Sequence, residues 1–258
     1  MKRGWKSAAV LGIAATGMLM LLSAGRLTAG AGDEKKDKAN ASGPTVDSGS
    51  FGIYVRGQRV ITETFDIRQT NGASSIRSQL KEVAGSSPVD QKSTLEMSAT
   101  GDLIRYNWSQ AGGGSIEVQP SNEFLIEKIV AGAGAKPAEQ PFLLPSTSLI
   151  LDNNFFVQRE IVAWRYLGAD CKPEAGRLKC AQSPLEFGAL VPQDRTSMRI
   201  KVGFVGMEKV SMHGAERELM RLNLSSEGFD WALWVDDQDH FKLMRVAIPA
   251  DSTEVVRD

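Results

Sequence analysis

Histidine and cysteine are scarce in this chain, with two of each in 258 residues, and tyrosine numbers only three. That scarcity removes much chemistry. A zinc site wants four Cys, His or carboxylate ligands, and His213 and His240 lie far from the cysteine pair in sequence. No Gly-x-Ser-x-Gly elbow accompanies a histidine, so nucleophilic hydrolysis of the triad type has no frame. Gly112-Gly-Gly114 and Gly132-Ala-Gly134 do not sit between a strand and a helix, which argues against phosphate cradling. Asp236-Asp-Gln-Asp239 lacks the glycine and distal glutamate of a calcium loop and reads as a hairpin turn. Glu117, Glu123 and Glu127 fall in neighbouring strands and are read as the wet side of a sheet, not a glycosidase pair. The expectation is no catalytic residue, no metal, no cofactor and no enzyme.

An excess of positive charge is also missing. The first 31 residues read as an export signal: Met1-Lys-Arg-Gly-Trp-Lys6 is basic, Ser7–Ala24 is mostly apolar, and Ala29-Gly-Ala31 offers a small-x-small cut. Cleavage after Ala24 is the second choice, and retention as a membrane anchor the third. Removing residues 1–31 takes away four basic side chains and no acidic ones, leaving 26 Lys and Arg against 31 Asp and Glu. A net negative surface argues against nucleic acid or anionic membrane as a partner. No later apolar run approaches the length of a membrane span, so none is expected after cleavage.

Residues 32–48, rich in charge and small side chains, read as a flexible linker. From residue 49 the hydrophobic period becomes two. Phe51, Ile53 and Val55 alternate up to a turn at Arg56-Gly-Gln58, and Ile61, Phe65 and Ile67 alternate after it. Further turns at Thr70-Asn-Gly72, Thr100-Gly-Asp102, Gly112–Gly114 and Pro120-Ser-Asn122 divide a meander of short strands, one of them with Ile104, Tyr106 and Trp108 on one face. Residues 132–145, with three prolines, read as a crossing without strand. The last third resumes the meander, with a turn expected at Gly206-Met-Glu208 and others at His213-Gly214 and Asp236–Asp239.

Between the two meanders lies the one convincing helix, 152–168, with Asp152 as N-cap and Gly168 as C-terminal glycine. Phe155, Val162, Ala163 and Tyr166 share one side, and Val157, Ile161 and Trp164 the other. Phe156 and Leu167 fill the arc, and Gln158 and Arg165 form a polar stripe. A helix apolar almost all round is enclosed. The fold expected is mainly β, one domain over residues 49–258, in which a long curved antiparallel sheet wraps a central helix as a half-barrel. Cys171 and Cys180, nine apart, predict a disulfide closing the loop after the helix; it contributes roughly 2–3 kcal/mol in the chain-entropy model.

This layout resembles the half-barrels of the lipoprotein-localisation factors and the uncharacterised secreted bacterial proteins grouped with them. The patterns that carry the resemblance are Gly52-Ile-Tyr-Val-Arg-Gly-Gln-Arg-Val-Ile-Thr-Glu-Thr-Phe65, Asp152-Asn-Asn-Phe155 with Trp164-Arg-Tyr166, and Trp234-Val-Asp-Asp237 with Arg245-Val-Ala-Ile-Pro249. It covers residues 49–257 and implies a periplasmic or cell-envelope protein that binds lipid or lipoprotein acyl chains. An apolar ligand between helix and sheet would meet Phe155, Phe156, Ile161, Val162 and Trp164, with Gln158 and Arg165 at the mouth for a polar head. The alternative is an envelope scaffold with a filled core whose surface binds another protein.

Overall fold

A computed structural model describes residues 43–70, 72–82, 90–174 and 177–258. The stretch read as an export signal, the stretch read as linker as far as residue 42, and Asn71 of the expected Thr70–Gly72 turn lie outside the described residues. The first meander comprises β1 (Thr45–Val55), β2 (Gln58–Gln69), β3 (Ala73–Glu82), β4 (Gln91–Ser98), β5 (Leu103–Gln110), β6 (Ser115–Ser121), β7 (Phe124–Val130) and β8 (Ala138–Phe142). A crossing follows: β9 (Leu149–Ile150), helix α1 (Val157–Asp170), and a hairpin of β10 (Cys171–Glu174) and β11 (Arg177–Cys180). The second meander is β12 (Leu185–Val191), β13 (Thr196–Met212), β14 (Ala215–Ser226), β15 (Phe229–Asp236), β16 (Lys242–Ile248) and β17 (Thr253–Arg257).

Fifteen strands form one sheet in the order β8-β7-β6-β5-β4-β3-β2-β1-β17-β16-β15-β14-β13-β12-β9. All pairs are antiparallel except β9 with β12. Each meander is local in sequence, and in the strand order the two meet where β1 pairs with β17, Phe51 opposite Arg257. The sheet is not closed into a barrel, since β8 and β9 stand at opposite ends of the strand order. It bends round α1, whose side chains and leading amides bond to both halves: Glu63 on β2 to the helix start, Tyr166 to Phe204 on β13, and Glu160 to Arg257 on β17. The mainly-β fold with one enclosed helix is therefore the one the periodicity predicts.

Alternation fixes which side chains enter. On β2, Glu63, Phe65 and Ile67 are buried while Thr64, Asp66 and Arg68 are not; on β3 the buried set is Ile76, Ser78 and Leu80. Two-residue turns with positive φ at both positions, Arg56-Gly57 (51° and 79°) and His213-Gly214 (51° and 78°), match the twist of the hairpins they close.

Several boundaries differ from the sequence expectation. β1 starts at Thr45, within the stretch read as linker, because Asp47 is buried in an ion pair with Arg257. Ile104 does not share a face with Tyr106: the register skips it between the pairs Glu96–Arg105 and Met97–Leu103, so Leu103 and Tyr106 are buried and Ile104 is 44% exposed. The proline-rich crossing contains β8, with Pro141 inside it, a residue tolerated there because the strand is at the sheet edge. Gly206 does not end a strand; it follows a register shift within β13, which runs seventeen residues.

Candidate functional site

The helix is held by two buried polar clusters and leaves a groove beside its second half. α1 begins at Val157, with Phe156 in the N-cap position and no side-chain cap from its own segment. Asp152 is not the cap. Its Oδ1 accepts from the amides of Asn154 (2.6 Å) and Phe155 (3.2 Å), closing a turn one step ahead of the helix. Its Oδ2 accepts from Gln193 Nε2 at 2.7 Å and from the Tyr106 hydroxyl. The leading amides of the helix instead donate to Glu63, Phe156 N at 2.6 Å and Val157 N at 3.1 Å, so the cap comes from a strand 93 residues away. Gly168 is not the terminal glycine either. The helix runs on through Asp170 and stops where Cys171 becomes extended in the disulfide hairpin.

Behind this start sits Arg159, 1% exposed. It donates to the carbonyls of Asp152 and Phe155, the latter at 2.6 Å, and lies 4.8 Å and 5.0 Å from the ring centres of Phe156 and Trp231. Burial lowers its pKa to about 10, with Asp152 and Glu63 opposing the shift. Burial likewise raises Glu63 to about 7 against the hydrogen bonds from Ser78 and the helix amides, raises Asp152, and drives Tyr106 well above its ordinary value. Gln158 belongs to this lock: its Oε1 accepts from Asp152 N at 2.8 Å.

The second cluster lies one residue further along the helix. Arg257 donates to both carboxylate oxygens of Asp47 at 2.7 Å and to Glu160 at 3.3 Å, beneath the rings of Phe51 and Phe65. Burial, then the neighbouring Asp47 carboxylate, raises Glu160 well above the carboxylate range. Arg159 and Glu160 were missed in the sequence reading. Their signal was present as two adjacent charges within a helix whose surroundings are mostly apolar, where buried pairing is what enclosure requires.

The second half of α1 is packed against β13 through Tyr166 but leaves a gap on the side of β2, β3 and β4. A cavity of about 770 Å³ opens there, with Ile161, Trp164, Arg165 and Leu167 on one wall and Ile67, Ile76 and Met97 on the other. The disulfide hairpin contributes Cys171 and Leu178, and Phe241 and His240 come from the loop after β15. The Cys171–Cys180 bond is formed. Trp164 Nε1 donates to the Phe241 carbonyl at 2.8 Å and Arg165 Nη1 to the Thr100 carbonyl at 2.7 Å, so both wall residues are anchored.

Of the seven candidates named from the sequence, Ile161, Trp164 and Arg165 are brought together on this groove. Phe155 and Val162 are fully buried in the core, Phe156 packs under Arg159, and Gln158 sits in the polar lock. The three glutamates do not converge. Glu127 is wholly buried with Arg195 at 3.9 Å, Glu117 is partly exposed, and Glu123 is exposed in a turn. Burial raises Glu127 to about 7. Among the described residues no group of three or more His, Cys, Asp or Glu is placed to hold a metal ion. The groove offers apolar contact, fixed aromatic edges and one cation, which is the equipment of binding. Compared with family models, with curated proteins and with solved structures, the chain matches none.

Proposed function

We propose that the protein is exported and holds an apolar ligand, such as an acyl chain, between the second half of α1 and the sheet, without catalysing a reaction. One observation carries this reading: beside the second half of α1, on the side facing β2, β3 and β4, the interface opens into a cleft of about 770 Å³ with mostly apolar walls. Small-molecule sites typically fall in this size range, with few polar groups among apolar walls. The basic-apolar-small order of residues 1–31 and the Cys171–Cys180 disulfide support export to an oxidising compartment.

A second reading, a scaffold that binds a protein partner, has the far edge of the sheet in its favour. Among the described residues, β9 covers only Ala189 and Leu190 of β12, leaving Leu185–Gly188 paired on one side. The two readings separate in one experiment. N-phenyl-1-naphthylamine, a neutral apolar fluorophore, should brighten on binding the protein and be displaced by long-chain lipids. Ala99→Trp, which fills the groove from an exposed wall position, should abolish the signal without lowering the melting temperature. A protein that never brightens the probe refutes the ligand reading and leaves the scaffold.

A further inference from the structure

Arg165 belongs to two cavities. The second, about 710 Å³, lies between the 143–148 segment after β8 and the strands β12 and β13, with Leu144, Ser148, Phe187, Ser197 and Arg199 among its walls. Its character differs from that of the groove. Ser148 is only 6% exposed, and its hydroxyl has no hydrogen-bond partner. That hydroxyl lies against Gly188, another wall residue, near enough that a Cβ there would stand 3.2 Å from it. A buried hydroxyl without a partner is unfavourable, and one beside a cavity is satisfied when a ligand brings an acceptor.

The charge balance points the same way. Glu186 on the cavity wall is engaged by Arg199 at 2.9 Å and by Lys201 at 3.9 Å. Arg165, among the described residues, forms no ion pair; one Nη donates to the Thr100 carbonyl. The guanidinium rests on Gly101, whose own turn conformation (φ 82°) and missing side chain leave room for it; a Cβ would meet Nη1. An anchored guanidinium with donors to spare, at the junction of an apolar groove and a polar cavity, suits a planar or tetrahedral oxyanion.

We propose that this second cavity receives the acidic head, a carboxylate or a phosphate, of an amphiphile whose chain lies in the groove, with Arg165 pairing the anion and Ser148 donating to it. The inference rests on the apolar-ligand reading above. The test uses the purified chain loaded with N-phenyl-1-naphthylamine and challenged with dodecanoate, dodecyl phosphate, dodecanol and dodecyltrimethylammonium below their micellar concentrations. The acids should displace the probe at concentrations lower than dodecanol by about tenfold or more, the effect of a charge-assisted hydrogen bond, and the cation should be the weakest. Whichever acid is stronger distinguishes a fatty-acid from a phosphate head. In Arg165→Gln the advantage of the acids over dodecanol, read as the ratio of their displacing concentrations in the same variant, should vanish. Ser197→Asp, at an exposed wall position, should do the same by placing a fixed negative charge in the cavity, and covers the case in which Arg165→Gln fails to fold. Dodecanol as potent as the acids overturns the head site and leaves the groove standing; a probe that never binds overturns both.

Discussion

At the residue scale the informative group is Glu63, a carboxylate that caps a helix from a neighbouring strand while wholly buried. Its three donors, Ser78 Oγ, Phe156 N and Val157 N, favour the ionised form, yet burial outweighs them and holds it at about 7. The ordinary value is 4.5, so between roughly pH 5 and 7 the folded chain binds a proton that the unfolded chain releases. Stability therefore falls as pH rises through this window and levels off above it, by roughly 3 kcal/mol for this one group. Glu127, also raised to about 7 by burial, adds a slope of the same sign. Urea midpoints taken across that range should drop steadily towards neutrality. A flat profile would show that Glu63 is ionised in the folded protein at low pH. Glu63→Gln should flatten part of the slope and cost about 1–3 kcal/mol, because its amide nitrogen turns a donor towards amides that need an acceptor.

At the scale of elements, what local pattern can specify was legible and what distant residues decide was not. Period-two alternation located most strands, and Cys171 with Cys180 gave the disulfide. The helix was legible as an element but its ends were not. Asp152 has the chemistry of an N-cap, but Tyr106 and Gln193 claim one oxygen and the preceding turn the other, while the cap arrives from β2. Ile104 was placed on the wrong face because a bulge is invisible to alternation. Of the candidate site, Ile161, Trp164 and Arg165 were legible from helical spacing, whereas the facing wall depends on register between distant strands. The hairpin after the helix is both staple and wall. Replacing Cys171 and Cys180 together with Ser should lower stability by roughly 2–3 kcal/mol by denaturation and also weaken probe binding, since Cys171, Pro173 and Leu178 line the groove. Unchanged probe affinity in that variant would place the ligand away from the hairpin.

At the scale of the whole sheet, one backbone ladder links the two meanders. The β1–β17 ladder is reinforced by Arg257, which bridges Asp47, 210 positions earlier, and Glu160 on the helix. Arg257→Ala removes the cation and leaves two buried carboxylates, a change expected to cost roughly 3–5 kcal/mol. Because the helix is bonded to both halves, the loss should appear as one cooperative denaturation transition shifted as a whole. Two resolved transitions would mean that the meanders are separately stable.

The position of that ladder also bears on the order of events during folding. The middle of the sheet pairs β1 with β17, the earliest and latest of the described strands in sequence, so this ladder closes only when two segments about 200 residues apart meet. Until then β1 and β16 each carry an unpaired ladder of amides and carbonyls, the kind of edge that recruits other chains. Contacts this distant in sequence are slow to form. A chain truncated before residue 253 would thus expose two sticky edges where the whole sheet has its centre, and the five-residue β17 completes the ladder between them.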